Sequence, residues 1–363
     1  MGGGSVEDQP AAPGIGALEI GIAAFPGFGS LGEQWRALED EAGAVPVFRS
    51  WTWLGCLAEE RFPDPVLLRA TAAGRTVGLA LFNRRGGTLH LGESGEAGLD
   101  APYVEHNGPL VSASAGAGVA AALLRAAWMV PAIACLRLSG TDPELFGAAG
   151  GVEGRRQEVA APFIDLDAIR ASGGTVLGSL SANSRAQLRR SIRHFEARGP
   201  LSLARPGSGE EAAAWLEEMI ALHTGRWQEK GRPGAFATPY LRRFHAALIA
   251  RAGERGELDL LRLAAGGEVL GHLYNFRAGR TVFAYQSGFR QFPGVAEARP
   301  GLVAHLLAAE QALAQGLGRY DFLAGDSRYK RSLANGAATL VWGERVRPLS
   351  LGAVAGWLRR LRG

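Results

Sequence analysis

The chain is short of cysteine. It has two, Cys56 and Cys135, far apart and outside any ligand-spacing motif, which excludes a zinc centre and a disulfide framework. Both read as small hydrophobes of a reducing compartment, and no metal is expected. No secretory leader is expected either. Residues Met1 to Gly14 are rich in Gly and Pro, without a charged n-region or an apolar h-region, and read as a disordered lead-in. They begin Met-Gly, but Val6 stands where N-myristoylation needs Ser or Thr. No long apolar run is present either. The most apolar window, Val119 to Leu136, is broken by Arg125 and Pro131 and falls short of a membrane span. It reads as a helix, a break and a buried strand. The net charge of +4 does not by itself call for nucleic acid, and no long charged heptad segment exists.

What remains is an ordinary globular balance, 47% hydrophobic and 20% charged, in 363 residues, a length that suits two domains rather than one. The chain repeats itself. Leu67-Leu68-Arg69-Ala70-Thr71-Ala72-Ala73-Gly74-Arg75-Thr76-Val77-Gly78 aligns without a gap on Leu260-Leu261-Arg262-Leu263-Ala264-Ala265-Gly266-Gly267-Glu268-Val269-Leu270-Gly271. Each copy is an apolar strand, a Gly-containing turn and a second apolar strand, the pattern of a β-hairpin. Gly78 and Gly271 interrupt the second strand at the same place, which predicts a bulge or a close backbone approach.

The flanks agree. Strands are predicted at Thr88 to Gly92 and Tyr103 to Val111, then a helix over Gly118 to Trp128 and a strand at Ile133 to Ser139. In the second half the matching elements are a strand at Thr281 to Gly288, a turn at Gln291 to Pro300, a helix over Gly301 to Gln315 and a strand at Arg319 to Leu323. Helical apolar spacing opens each half: Leu31 to Ala42 and Trp51 to Glu60, then Glu210 to Gln228 and Pro239 to Ala252. The stretch Gly147 to Gly174 reads as a polar, Gly-rich connection around one strand, Ala161 to Leu166. The expectation is an α/β protein of two tandem domains, each a mixed sheet flanked by helices. Their ranges are 15–170 and 171–348, after a lead-in over 1–14 and before a C-terminal segment over 349–363.

Several segments carry a family resemblance. They are Phe48-Arg49-Ser50-Trp51-Thr52-Trp53-Leu54, Leu180-Ser181-Ala182-Asn183-Ser184-Arg185, His223-Thr224-Gly225-Arg226-Trp227 with Phe244-His245, and Tyr320-Asp321-Phe322 followed by Gly325-Asp326-Ser327-Arg328-Tyr329-Lys330. In this order they resemble the GNAT acyltransferase superfamily, and in particular its tandem-domain branch of Fem-type and CelD-like proteins. Where relatives often carry an acidic residue after the Ser-Gly of Tyr285-Gln286-Ser287-Gly288, this chain has Phe289-Arg290.

The resemblance implies transfer of an acyl group from a thioester to an amine, with acyl-CoA or acetyl-CoA as co-substrate. An amine near pKa 10.4 needs roughly 4–5 kcal/mol to be neutral at pH 7, so a base is useful, and the departing thiolate wants a proton donor. His272, just after Gly271, is the candidate base; its counterpart in the first hairpin is Leu79, and the alternative is a core histidine. Tyr329 is the candidate acid and Lys330 a partner for phosphate or carboxylate. Asp321 and Asp326 either meet the acceptor amine or cap the chain.

The turn before the Gly301 helix is the expected coenzyme cradle, with Gln291, Gly294, Arg299 and Gly301 as its residues, because backbone N–H groups at a helix start bind phosphate. Its counterpart, Gly116-Ala117-Gly118, has no Gln or Arg ahead of it, so the first copy is expected to be degenerate. Arg226, Trp227, Tyr285, Asp326, Arg185 and Arg189 are the expected substrate contacts. Arg185, Arg189 and Arg193 fall on one face of a helix over Asn183 to Arg198, which suits an anionic partner: coenzyme phosphate, an acyl carrier protein, lipid phosphate or a tRNA acceptor stem.

Three readings follow. The first is an N-acyltransferase acting on a lipid amine such as a sphingoid base, an amino sugar or an amino acid. The second is a Fem-type aminoacyl-tRNA-dependent transferase. The third is a non-catalytic binding protein of a polysaccharide or lipid pathway. Leu351, Val354, Trp357, Leu358 and Leu361 share one side of a short helix ending in Arg359, Arg360 and Arg362, which predicts a peripheral contact at the inner membrane face of a cytoplasmic protein.

Overall fold

The computed structural model describes residues 17–96, 104–116 and 118–348, so the lead-in and the basic amphipathic segment lie outside the described residues. Its strands are β1 (Leu18–Ala23), β2 (Pro65–Ala72), β3 (Arg75–Arg85), β4 (Thr88–Leu91), β5 (Leu110–Val111), β6 (Cys135–Thr141), β7 (Val152–Asp165), β8 (Leu201–Ala204), β9 (Leu258–Ala265), β10 (Glu268–Ala278), β11 (Thr281–Phe289), β12 (Arg319–Asp321) and β13 (Gly336–Val346). The helices are α1 (Phe28–Ala42), α2 (Trp51–Arg61), α3 (Val119–Ala126), α4 (Pro143–Ala148), α5 (Leu166–Ala171), α6 (Val176–Ser179), α7 (Ala182–Glu196), α8 (Gly209–Gln228), α9 (Pro239–Glu254), α10 (Pro300–Ala314) and α11 (Arg328–Leu333).

The two hairpins, β2–β3 and β9–β10, form as the repeat predicts, and both carry the bulge. Ala70 pairs with Gly78 and Thr71 with Thr76, leaving Val77 extra; Leu263 pairs with Gly271 and Ala264 with Val269, leaving Leu270 extra. Gly271 holds φ +150, and a Cβ there would overlap the Gly288 carbonyl of β11, so the close approach is real.

The strands form one mixed sheet in the order β1-β2-β3-β4-β6-β13-β7-β12-β11-β10-β9-β8, with β5 beside β3. Its centre is an exchange. β7 leaves the first half and pairs antiparallel with β12 of the second; β13 leaves the second half and pairs antiparallel with β6 of the first. β7 and β13 then pair with each other from Gly336↔Phe163 to Val346↔Val152. A boundary near 170 therefore divides the repeat in the chain but not the sheet.

Two sequence expectations are corrected. The connection read around Ala161 to Leu166 is a 14-residue strand, and its polar start is edge-like, mostly exposed from Val152 to Ala160, so no apolar pattern announced it. The strand expected from Tyr103 to Val111 is reduced to Leu110–Val111, because His106 adopts a left-handed φ of +47 and turns the chain out of extension.

One core is common to both halves. Phe48 and Trp53 from the first half pack against Phe244, Phe276, Phe283 and Tyr285 from the second, and Arg251 pairs with Glu59 at its edge. Two further cores sit under α3 and under α10 with α7. Cys56 is buried and Cys135 half-buried, both free. No described helix is long and apolar enough to cross a membrane, and the described residues hold no His, Cys, Asp or Glu cluster fit for a metal.

Candidate active site

β11 and β12 run parallel but pair only from Thr281↔Arg319 to Phe283↔Asp321. Beyond that point they part. Tyr285 is an extra residue in β11, since Tyr274 pairs with Gln286 and Asn275 with Ala284, and such a bulge bends the strand. On the other side the chain leaves β12 through Leu323, a left-handed residue with φ +61. Strain of this kind persists only where its surroundings hold it. Here the Asp321 carboxylate accepts from the Leu323 N–H at 2.8 Å, and the Lys330 ammonium donates to the Leu323 and Ala324 carbonyls at 3.0 and 2.7 Å.

The parting opens a cleft of about 990 Å³. Its walls are β11, the Phe322–Ala324 turn, α11, the start of α10 and the end of α8. α8 sits close because Gly288 has no side chain; a Cβ there would overlap the Met219 carbonyl. That approach brings His223 Nδ1 within 3.0 Å of the Ser287 carbonyl, to which it donates, while Nε2 accepts from Ala235 N–H.

Of the residues singled out from the sequence, Tyr329, Lys330, Gln291, Arg299, Gly301, Arg226, Trp227 and Tyr285 all line this cleft. At the start of α10 the first intrahelical bond is Val303 N–H to the Arg299 carbonyl, so the Gly301 and Leu302 N–H groups precede the ladder, and both residues line the cleft. Around them stand Arg226, Lys230 and Arg299, none paired with a carboxylate among the described residues. A helix start with three such cations suits a phosphorylated, anionic ligand, and Phe289, Phe292 and Leu302 supply apolar wall for the rest of it.

Tyr329 stacks on His305, centroids 5.4 Å apart and planes 17° apart, and meets Phe322 edge-on. Tyr329 keeps 39% of its surface exposed while its ring is packed on these neighbours, and its phenol, raised to about 12, stays protonated at neutral pH. His305 itself is enclosed, its Nδ1 2.9 Å from the Tyr320 hydroxyl, and burial holds it down at about 3 and neutral. Lys330 is lowered by burial and spends its protons on two carbonyls, so it shapes the turn.

The remaining expected residues are elsewhere. His272 is fully buried between Arg262 and Glu218, 3.1 Å from the Glu218 carboxylate and beside the Trp215 ring, and is not among the residues lining the cleft. Burial, then Arg262, lowers it to about 4. Asp321 lies beneath the turn, paired with Arg319 at 2.8 Å and His106 at 3.3 Å; burial raises its pKa, but His106 and the other partners bring it below the ordinary value. Asp326 pairs with Arg331, and Arg185 donates to the Gly178 and Leu180 carbonyls. Arg189 is exposed on α7, and Gly294 holds a left-handed turn with open space around it.

Lys230, His305 and Glu105 line the cleft without having been singled out from the sequence. Glu105, from the first half, reaches into this wall and accepts a hydrogen bond from Ala324 N–H. Burial is the largest influence and raises its carboxyl from 4.5 to about 7, against the pull of the Ala324 N–H and Lys330. Its place depends on Gly140 of β6: φ is +63, and a Cβ would overlap the Val104 carbonyl and come within 2.6 Å of Glu105 Cα. The only sequence signal was an acid in a half otherwise read as degenerate.

Residues 182–331 match the family model described as Acetyltransferase (GNAT) domain. No curated protein matches the chain. Among solved structures, FemX is similar at 11% identity and a TM-score of 0.59, over 91% of this chain and 98% of that one. L-PGS from Bacillus licheniformis is similar at 14% and 0.52, over 94% and 98%. The C-terminal domain of an Agrobacterium fabrum protein assigned as a lysylphosphatidylglycerol synthetase is similar at 11% and 0.56, over 92% and 95%. At such identities the likeness is one of fold, and it spans both halves.

Proposed function

We propose that this chain, a GNAT-type acyltransferase of the Fem-type tandem branch, moves an acyl group from acyl-CoA to an amine, with Glu105 as base and Tyr329 as hydrogen-bond donor to the leaving thiolate. The observation that carries this reading is the convergence of Glu105 and Tyr329 on one cleft with the open start of α10. A carboxyl near 7 is half ionised at neutral pH and takes a proton from an attacking ammonium far better than an ordinary carboxylate. A phenol near 12 stays protonated, so its O–H is a hydrogen-bond donor for the departing thiolate, and the final proton reaches that thiolate from solvent. The Tyr285 bulge sets one backbone N–H of β11 outside the regular ladder, a donor suited to charge building on a carbonyl oxygen.

The donor's phosphates suit Gly301 and Leu302 N–H, with Arg226, Lys230 and Arg299 around them. Bound there, acyl-CoA supplies an activated carbonyl and a thiolate leaving group; positioning and proton movement fall to the protein. His272 stands outside this set, surrounded by Trp215, Glu218 and Arg262 and away from the cleft lining.

A second reading, transfer from an aminoacyl-tRNA, is favoured by one observation: Arg189, Arg190 and Arg193 of α7 are exposed and make no ion pair among the described residues. Native mass spectrometry with acetyl-CoA, a long-chain acyl-CoA and an aminoacyl-tRNA separates the two. The expected result is acyl-CoA binding that Arg299→Ala weakens. Binding of the tRNA alone overturns the acyl-CoA reading.

A further inference from the structure

The chain is nearly without lysine. Its 39 lysines and arginines together include two lysines, Lys230 and Lys330, and both line the cleft. Arginine takes every other such position, among them Arg226, Arg290 and Arg299 in the same cleft. The two side chains are not interchangeable. A guanidinium stays charged, whereas a buried ammonium can give up a proton and become a nucleophile. The side-chain amines of this chain therefore stand in the cleft assigned to the acyl donor.

Their settings differ. Lys230 is exposed just past the end of α8, its ammonium 5.3 Å from the centre of the Trp227 ring. Lys330 is half-buried on α11, next to Tyr329. Its Nζ donates to the Leu323 and Ala324 carbonyls, and the N–H of the same Ala324 donates to the Glu105 carboxylate. Amine and carboxylate thus meet on one residue, and each feels the charge of the other. An ammonium has three protons, and two are placed here. A neutral lysine still has two N–H groups, so it can keep both carbonyls while a lone pair takes the third position. Burial acts in the same direction, lowering Lys330 below the ordinary lysine value against the charges of Glu105 and Asp321.

We propose that Lys330 is a self-acylation site: with a thioester donor bound and no acceptor present, the acyl group passes to Lys330 Nζ. The inference rests on the acyl-transfer reading for the donor. The ammonium first gives one proton to the Glu105 carboxylate. The neutral nitrogen then attacks the thioester carbonyl; a C–N bond forms, the C–S bond breaks, and its electron pair leaves with sulfur. The nitrogen releases a second proton to solvent and the thiolate takes one up, leaving an amide and a free thiol. The amide is uncharged and has one N–H, so it satisfies one carbonyl of the Leu323 turn instead of two. It also fills the place beside Glu105 that an acceptor amine would take, so donor consumption ends with one acyl group per chain.

The test reads one sample twice. The full chain is incubated with acetyl-CoA and no amine, beside the same chain unfolded in urea. Native mass spectrometry reports bound donor; denaturing mass spectrometry with peptide mapping reports covalent acetyl. The expected result is one acetyl group per folded chain, on Lys330, little on the unfolded chain, and donor consumption that stops at one equivalent. Lys330→Arg is expected to bind acetyl-CoA without becoming labelled, and Glu105→Gln to acquire the label about tenfold more slowly or worse. Should Lys330→Arg fail to fold, the wild-type peptide map decides alone. Bound acetyl-CoA with Lys330 unmodified, label confined to Lys230 or the N-terminal amine, or equal labelling of folded and unfolded chain overturns self-acylation and leaves the acyl-transfer reading standing. Neither bound donor nor label overturns both.

Discussion

The Ala324 N–H donates to the Glu105 carboxylate across 219 residues of sequence. The bond ties a loop of the first half to the turn after β12 in the second, so both copies build one cleft. The proposed base thus comes from the half that the sequence marked as degenerate.

Removing that acid should abolish the pH dependence as well as the rate. A base near 7 gives a kcat/KM that rises with pH and levels off above about 7. Glu105→Gln is expected to lower kcat by about 10²–10⁴, the usual contribution of a general base, and to flatten this profile, while acyl-CoA affinity stays unchanged. A variant that keeps the wild-type profile would assign the proton transfer to another group.

The same carboxyl links folding to pH. Its pKa is higher folded, about 7, than its ordinary 4.5, so between these values the folded state binds more proton. Stability is therefore full below about 4.5 and falls as pH rises through 7. Glu105→Gln, which still accepts from Ala324, should melt above wild type at pH 8, by about 1–3 kcal/mol, and match it near pH 4. Equal melting at both pH values would show that the carboxyl is not held out of water.

Gly140 offers an independent route to the same group. A Cβ at Gly140 runs into the Val104–Glu105 backbone, and its φ of +63 is unfavourable for other residues. Gly140→Ala should cost about 1–3 kcal/mol and lower kcat at least tenfold. In the Glu105→Gln background the same change should add little to the kcat loss, because the displaced group is already gone. Additive losses would mean that Gly140 acts on something other than Glu105.

How much of this was legible follows from the kind of contact involved. The hairpins, their bulges and the helices declare themselves through local period and glycine, and both bulges stand where Gly78 and Gly271 predict. Tyr329, Gln291, Arg299 and Gly301 sit next to a turn or helix start, and they converge. Glu105 does not declare itself, since it depends on a backbone approach over Gly140 that no local pattern encodes. His272 misleads for the opposite reason: strand alternation says that it faces one side of the sheet, but only packing shows Trp215 and Glu218 closing that side.

That difference predicts unequal mutants. Tyr329→Phe keeps the stack on His305 and loses the proton, so kcat should fall about 10²-fold or more with donor affinity unchanged. His272→Gln should stay within a few-fold of wild-type kcat. Equal losses, measured beside thermal melts, would return His272 to the chemistry.

The donor cradle can be separated from the turn beside it. A Cβ at Gly301 would already touch the Phe289 ring at 3.4 Å, so the branches of Gly301→Val crowd the helix start; donor KM should rise about tenfold with little change in kcat. Gly294 has open space but a φ of +76, so Gly294→Ala should lower stability by about 1 kcal/mol and leave donor KM alone. A matching rise in donor KM for Gly294→Ala would extend the cradle to that turn.

The exchange of β7 and β13 makes the last prediction, about cooperativity. β13 has a neighbour on each side, β6 and β7, both from the first half, while β7 is the strand that joins the sheet to β12. Phe48 and Trp53 add a second junction by packing into the core of the other half. Separable tandem domains would melt in two steps. Here neither half can leave without uncovering a central strand and splitting an aromatic core, so one calorimetric transition is expected for the full chain. Leu340→Pro probes the link directly. Leu340 is buried and pairs with Val159, and proline there removes a ladder donor in a strand bonded on both sides. It should lower stability by about 3 kcal/mol or more and cause acyl-CoA binding to be lost in step with tryptophan burial in the first half. If the variant instead keeps one half folded, with a residual transition and retained acyl-CoA binding, then the halves are energetically independent and the exchanged strands are a surface feature of the sheet rather than its link.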